Sequence, residues 1–428
     1  MTSAQVLSQK PTRVRYWVLV FAVTLAVITY IDRVCISQAI IPIEKELGLT
    51  PTQKGYVFGA FTLAYALFEI PGGYMGDVMG ARRVLMRIVV WWSVFTAATG
   101  WAWSYLSLVA IRFFFGAGEA GCFPNVTKAF TVWLPAEERV RAQGIMWMSA
   151  RWGGAFTPLL VYQILQLMHW RRAFELFGAI GVVWAVLFYL WFRDNPRDNK
   201  KVNPAELRLI EESSHQASGH GSVPWGKFIR SQQAWLLCGQ YFCLSYGWYF
   251  YITWLPTYLK NARGLTLATG ALLATLPLFM GGLGSLICGY MYPLVNRWTH
   301  DVGKSRRVMA YIGFSGATGF LVLSTWLQDA RLAMFSMGLA SFCNDLVMPG
   351  SWGACMDVGG KYAGTLSGTM NMMGNFGGVV SPIAIGYILE NTHNNWDITF
   401  YVSAAVYFAG LFFWLLLDPV TPLEEKVH

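Results

Sequence analysis

Twelve apolar runs, each long enough to cross a bilayer, constrain this chain more than any other feature. A membrane helix needs about 20 mostly apolar residues, because its backbone N–H and C=O groups find no water in hydrocarbon and must pair within the helix. The runs cover 17–40, 55–76, 84–103, 105–130, 141–167, 173–192, 234–258, 268–294, 307–327, 330–353, 363–389 and 397–417. They are numbered here as spans 1 to 12. Composition agrees: of 428 residues, 55% are hydrophobic and 13% charged, about half the charge of an ordinary globular chain. Glycine (43) and tryptophan (20) are abundant, and suit close helix approach and bilayer interfaces respectively. The expected class is an all-α membrane protein with twelve transmembrane helices.

The longest polar stretch, 193–232, divides the spans six and six. It contains Asn195-Pro196, Ser213, Ser214, Gly219 and Gly221, and room for a short amphipathic helix at 204–212. The expected organisation is a tail at 1–16, a six-helix bundle at 17–192, a linker at 193–232, a second bundle at 233–417 and a tail at 418–428. Charge sets the direction. Of the 32 Lys and Arg, four lie deep inside spans, 7 lie in loops or at span ends on one side, and 21 lie likewise on the side of the termini. Basic residues accumulate in cytoplasmic loops, so both termini are expected in the cytoplasm. The net charge of +9 is then a topology signal, and nucleic-acid binding is not needed to explain it. The polar start runs directly into a span too long for a signal-peptide core. The seven cysteines lie in apolar stretches without metal-type spacing and read as core residues.

The halves resemble each other at matched places. Ser149-Ala-Arg151-Trp-Gly-Gly-Ala-Phe-Thr-Pro158 of span 5 aligns with Met373-Gly-Asn375-Phe-Gly-Gly-Val-Val-Ser-Pro382 of span 11. Gly73-Tyr-Met75 of span 2 aligns with Gly289-Tyr-Met291 of span 8, each followed by a basic pair, Arg82-Arg83 and Arg306-Arg307. Parallel six-helix repeats of this kind form one large transporter architecture, with substrate near the midplane. The alignment predicts that Arg151 and Asn375 occupy pseudo-symmetric positions facing one cavity.

Gly73-Tyr-Met-Gly-Asp77-Val-Met-Gly80-Ala-Arg82-Arg83 resembles the loop motif of the major facilitator superfamily, departing from it at Val78. Span 4, Arg112-Phe-Phe-Phe-Gly-Ala-Gly-Glu119-Ala-Gly-Cys-Phe-Pro124, and the following Trp133-x-Pro135-x-Glu137-Glu-Arg-x-Arg141 resemble the anion:cation symporter family. That family includes galactonate, glucarate and hexuronate transporters, sialin and the vesicular glutamate transporters. Asp32-Arg33, Trp352 with Asp357-Val-Gly-Gly, and Asn371-x-x-Gly-Asn375 also match. The resemblance implies two pseudo-symmetric six-helix bundles in the major facilitator fold. It further implies a monomeric bacterial inner-membrane symporter of a small organic anion, a sugar acid (hexonate, hexuronate or hexarate), with a proton as coupling ion and no other cofactor; the alternative is a carrier of another organic anion (aromatic carboxylate, tartrate-like or phosphorylated), acting as an exchanger.

An ionisable side chain in hydrocarbon costs roughly 2.5–3.5 kcal/mol on insertion scales, so each is a functional candidate. These are Asp32, Arg33, Glu69, Arg112, Glu119, Lys128, Arg151 and Asp345. Arg112 and Glu119 are seven residues apart, about two turns on one face, and Arg112 can pair with Asp32. Burial favours the neutral form of a carboxylate and a nearby arginine favours the charged form, so such an acid can exchange its proton when the arginine moves. The resemblance assigns Asp32 and Glu119 to proton coupling, Arg33 to the substrate carboxylate, and Arg112 to the acids as a switchable partner. Tyr65 and Asn375 match substrate-contacting positions. Tyr246 in the span 7 aromatic cluster and Trp352 join the candidate substrate contacts, and Gly73, Asp77, Gly80, Arg82 and Arg83 form the gating loop. Arg151 stands where those relatives carry a glutamine. It can bind a second carboxylate or a phosphate, or pair with Glu69 or Asp345. Asp345 itself reads as a network residue or a second coupling site. Lys128, near a helix end, is expected to snorkel to the interface. No nucleophile–base arrangement or metal spacing points to an enzyme, and Gly72-Gly73 and Gly281-Gly282 lack the rest of a phosphate loop.

Overall fold

The computed structural model describes residues 10–49, 51–213, 225–265 and 267–423. Ser214, Gly219 and Gly221 of the expected linker lie outside them. Among the described residues there is no strand, and a long helix stands at each of the twelve expected spans. They are Tyr16–Leu47, Pro51–Met79, Ala81–Thr99, a divided span at Tyr105–Glu119 and Cys122–Trp133, Ala136–Leu167, Trp170–Trp191, Gln232–Thr253, Leu267–Thr299, Val302–Trp326, Ala330–Gly359, Ala363–Asn391 and Trp396–Leu416. Several run one or two turns past their apolar core, because a helix ends where its caps are, not where hydropathy falls. The short helix Pro204–Ser213 occupies the linker.

Among the described residues, seven stretches qualify as membrane-crossing by length and mean hydropathy alone, one of them joining spans 10 and 11. Spans 2, 3, 5 and 7 fall short because they carry Trp, Tyr, Gly and charge where other spans carry Leu, Ile and Val. Many of those groups face protein: Trp92, Trp147, Tyr65 and Tyr246 are all buried.

The chain gathers into two compact units, as far as it is described. The first holds Met1–Arg139, Gly153–Val223 and Gly359–Gly368; the second holds Val140–Trp152, Pro224–Val358 and Thr369–His428. In the first, span 3 packs on span 6 and span 2 on span 4. In the second, span 12 packs on spans 9 and 7. The repeat shows in matching contacts. Arg82 donates from Nε and Nη2 to the Tyr189 carbonyl at the end of span 6, at 3.0 and 2.7 Å. Arg307 makes the same fork onto the Leu417 carbonyl at the end of span 12, at 3.1 and 2.8 Å. Asp194 accepts from the Arg82 amide and Asp301 from the Lys304 amide, both at 2.8 Å, so a carboxylate satisfies free amides at the start of spans 3 and 9 alike.

The segment before span 1 is tied down by one buried acid. Glu206 of the linker helix accepts from Thr12 Oγ1 (2.5 Å), the amides of Val14 (3.2 Å) and Arg15 (3.1 Å), and Arg15 Nη1 (3.1 Å). Arg15 also pairs with Glu138 at 2.9 Å. Its guanidinium is held well above the usual arginine pKa, chiefly by its hydrogen bond to Glu138.

Candidate functional site

A break in span 4 positions the central acid. The helix stops at Glu119, Ala120 is extended (ψ 139) and Gly121 is left-handed (φ 81) before the next helix begins at Cys122. Only glycine takes that conformation without steric cost. The side chain of Asn125 secures the break, donating from Nδ2 to the carbonyls of Gly121 (2.7 Å) and of Gly72 on span 2 (2.8 Å).

Glu119 is fully buried, and Arg33 of span 1 donates its Nε to Glu119 Oε1. Four rings surround the Arg33 guanidinium: Tyr65 at 4.5 Å, Tyr30 and Phe61 at 5.5 Å, and Phe123 at 5.8 Å. Each ring face attracts the cation, by about 0.5–2 kcal/mol. The Arg33 side chain stays 21% exposed while Glu119 is fully buried, so removing Arg33 strands a buried charge at a cost of about 3–5 kcal/mol. Sequence reasoning named Tyr65 but missed Tyr30, Phe61 and Phe123. Tyr30 and Phe61 fall three and four residues from Arg33 and Tyr65 on helix faces already marked, and that spacing was the available signal.

Asp32 points elsewhere from Arg33, as consecutive helix residues must. It is 1% exposed, and neither carboxylate oxygen has a hydrogen-bond partner. Glu119, Trp92, Arg112 and Thr96 stand around it. The expected Asp32–Arg112 pair is thus not closed to a hydrogen bond. Arg112 lies over Phe115 at 4.4 Å and Phe61 at 5.2 Å instead. The partner on Glu119 is Arg33, the arginine expected to be reserved for substrate. Asp32, Arg33, Tyr65, Arg112 and Glu119 therefore form one cluster within the first unit.

The second unit carries another. Arg151 donates from Nε and Nη2 to both oxygens of Asp345, at 3.0 and 3.1 Å. Its guanidinium lies over Trp248 at 4.1 Å, and Trp248 packs edge-on against Tyr249 at 5.2 Å. Tyr249 in turn donates to Asn375 Oδ1 at 3.1 Å. Arg151 and Asn375, matched in the repeat, are thereby joined through two aromatic residues of span 7. Trp352 donates from Nε1 to Tyr241 at 3.1 Å and lies 5.3 Å from Trp147. Tyr246 is buried where span 7 runs close against Gly377. Two other members of the span 7 cluster bind backbone: Tyr251 donates to the Met337 carbonyl and Trp254 to that of Pro382.

The loop-motif residues form a third group, in the first unit. Asp77 accepts from the Gly364 amide (3.1 Å) and from the Thr365 amide and hydroxyl (both 2.6 Å) at the start of span 11. A carboxylate there satisfies free amides and opposes the positive helix end. Gly73 allows this approach, since a Cβ on it would meet the Gly364 carbonyl at 2.2 Å. Lys128 corrects the snorkelling expectation. It is 2% exposed, pairs with Asp77 at 3.2 Å and donates to the Lys361 carbonyl. Gly80 is left-handed (φ 85) beside Asp194, Arg82 binds Tyr189 as described, and Arg83 is exposed. Lys128→Met is expected to lower the melting temperature in detergent, with a loss of about 3–5 kcal/mol as for other broken buried pairs. An unchanged melting curve would exclude this role.

The sequence profile of the Major Facilitator Superfamily matches residues 22–382. A probable sulfoacetate transporter of Cupriavidus necator is 37% identical over 400 residues, covering 93% of this chain and 92% of the relative. A D-galactonate transporter of Escherichia coli is 29% identical over 424 residues, covering 96% and 97%. Among solved structures, a human organic anion transporter superposes with a TM-score of 0.71 at 14% identity, over 95% of this chain and 100% of that one.

Proposed function

The chain belongs to the Major Facilitator Superfamily, a family of multi-pass membrane transporters and not of enzymes, and on that premise we propose that it is a proton-coupled symporter of an organic anion. It works in the bacterial inner membrane by alternating access, with both termini cytoplasmic. The observation that carries the proposal is the pairing of Arg33 with the fully buried Glu119 inside the aromatic cage, with a second buried acid, Asp32, nearby. An arginine fork matches the geometry of a carboxylate or sulfonate, but Glu119 already holds it. A proton on Glu119 releases Arg33 to the incoming anion. Proton and anion then promote each other's binding, as linkage requires. Asp32, with Arg112 near it but not hydrogen-bonded to it, offers a second protonatable acid in the same cluster.

The first substrate class is a sugar acid: a hexonate, hexuronate or hexarate. The relatives named for D-galactonate and for galactarate and D-glucarate support it, and the tyrosines and Asn375 offer polar groups suited to hydroxyls. A second reading is favoured by the 37% identity to a probable sulfoacetate transporter. A short molecule with sulfonate and carboxylate ends matches two arginines better than it matches a polyol site.

The test is uptake by purified protein in liposomes, with D-galactonate, D-glucarate, D-glucuronate and sulfoacetate supplied in turn. One class is expected to accumulate against its gradient only when the lumen is alkaline, with proton entry seen by a pH dye. Accumulation indifferent to the pH gradient would reject proton coupling, and uptake of none of the four would reject both substrate readings.

A further inference from the structure

The Arg151–Asp345 pair lies outside the cage of Arg33, and its surroundings are unusual for a mere structural tie. Both partners are buried, at 4% and 0% exposure. Helix backbone packs directly on the pair. A Cβ on Gly281 of span 8 would meet Asp345 Oδ2 at 2.6 Å, and one on Gly282 would meet Trp152 at 2.6 Å and Arg151 Cβ at 3.4 Å. Each partner also has a helix-weakening residue close by in sequence. In span 5, Gly153-Gly154 follows Arg151 within the unbroken helix Ala136–Leu167. In span 10, Pro349 lies four residues after Asp345, so it has no N–H to give the Asp345 carbonyl. Asp345 also accepts from Asn344 Nδ2 at 2.9 Å, while Ser341 Oγ and Asn344 Oδ1 nearby are buried without partners. The setting is polar enough to receive a rearranged charge.

The guanidinium of Arg151 presents two N–H groups in parallel to a carboxylate, backed by the Trp248 ring and by Met348 Sδ at 3.6 Å. This is a finished oxyanion site, filled by a side chain of the protein itself. We propose that Asp345 is a built-in stand-in for the transported anion: it occupies Arg151 in this conformation, and the anion displaces it during the cycle. Arg151 is then a second substrate-anion site, for a carboxylate or sulfonate, and Asp345 is the competitor that keeps the anion from being trapped. This rests on the reading of the protein as an organic-anion carrier.

Three variants test it: Asp345→Asn, Arg151→Gln and the double variant, which removes both charges and so avoids a stranded one. Binding is measured by titration of D-galactonate and sulfoacetate, and transport in liposomes. Sodium sulfate, a simple oxyanion probe, is followed separately by melting temperature at constant ionic strength. Asp345→Asn is expected to bind the transported anion on the order of tenfold tighter, within the usual span of coupled sites, and to transport more slowly. Sulfate should stabilise Asp345→Asn more than the double variant. Arg151→Gln should bind the anion more weakly than the unaltered protein. Unchanged or weaker anion binding by a folded Asp345→Asn overturns the proposal, as does transport at the unaltered rate by the double variant. If Asp345→Asn does not fold, the double variant decides: loss of transport in a folded protein upholds the proposal and a normal rate overturns it. If the unaltered protein binds neither organic anion, the substrate reading fails, and the sulfate comparison (or the double variant's stability without sulfate response) still decides the role of Asp345.

Discussion

Glu119→Gln is expected to abolish proton-driven accumulation while leaving substrate exchange across the membrane intact. Glutamine keeps the shape and one acceptor for Arg33, so the cage survives. It carries no charge to neutralise, so proton uptake no longer decides whether Arg33 is free. One pH unit is worth about 1.4 kcal/mol, or about tenfold in concentration. Under a gradient of about two units, a carrier moving one proton with each anion in a neutral complex can sustain up to about a hundredfold accumulation. The variant is expected to equilibrate only. The assay pairs uptake under an imposed gradient with counterflow of labelled substrate. Loss of counterflow in a folded variant would move Glu119 from proton coupling to substrate binding or structure.

The second large effect is expected at Arg33. Arg33→Ala should remove anion binding, but it also leaves Glu119 buried without its cation, a penalty of about 3–5 kcal/mol. Two companions separate the causes. Arg33→Ala with Glu119→Gln removes both charges and should restore the melting temperature without restoring binding. Arg33→Lys keeps the charge and loses the planar fork. Since hydrogen bonds to charged groups contribute roughly 1.5–3 kcal/mol, its affinity should fall by about ten- to a hundredfold. An unaltered dissociation constant in folded Arg33→Lys and Arg33→Ala would exclude Arg33 as the anion ligand.

Why some of this was legible beforehand follows from the kind of information each feature needs. Helix positions follow from hydropathy because a bilayer penalises every unpaired backbone group, wherever the helix packs. The intramembrane charges stand out for the same reason. Their partners do not. Asp32 and Arg33 are adjacent in sequence, yet their side chains leave the helix in different directions, and Arg33 is the one that meets Glu119. The first helix of span 4 ends at Glu119, with the break at Ala120–Gly121 directly after it. Lys128 was misread because closeness to a helix end suggested an interface, whereas Asp77 and the start of span 11 enclose it.

The sequence by itself determined an all-helical membrane protein with twelve spans in two related halves, its family, and which charged residues lie inside the spans. Those properties depend on composition, period and local motif, which the chain carries along its length. Only the tertiary structure decided which charges pair, that an aromatic cage encloses Arg33, and that Arg151 already holds a carboxylate. Pairing is a matter of which helix faces meet at distances of about 3 Å, and that is set by packing between helices, among partners that sequence leaves equal.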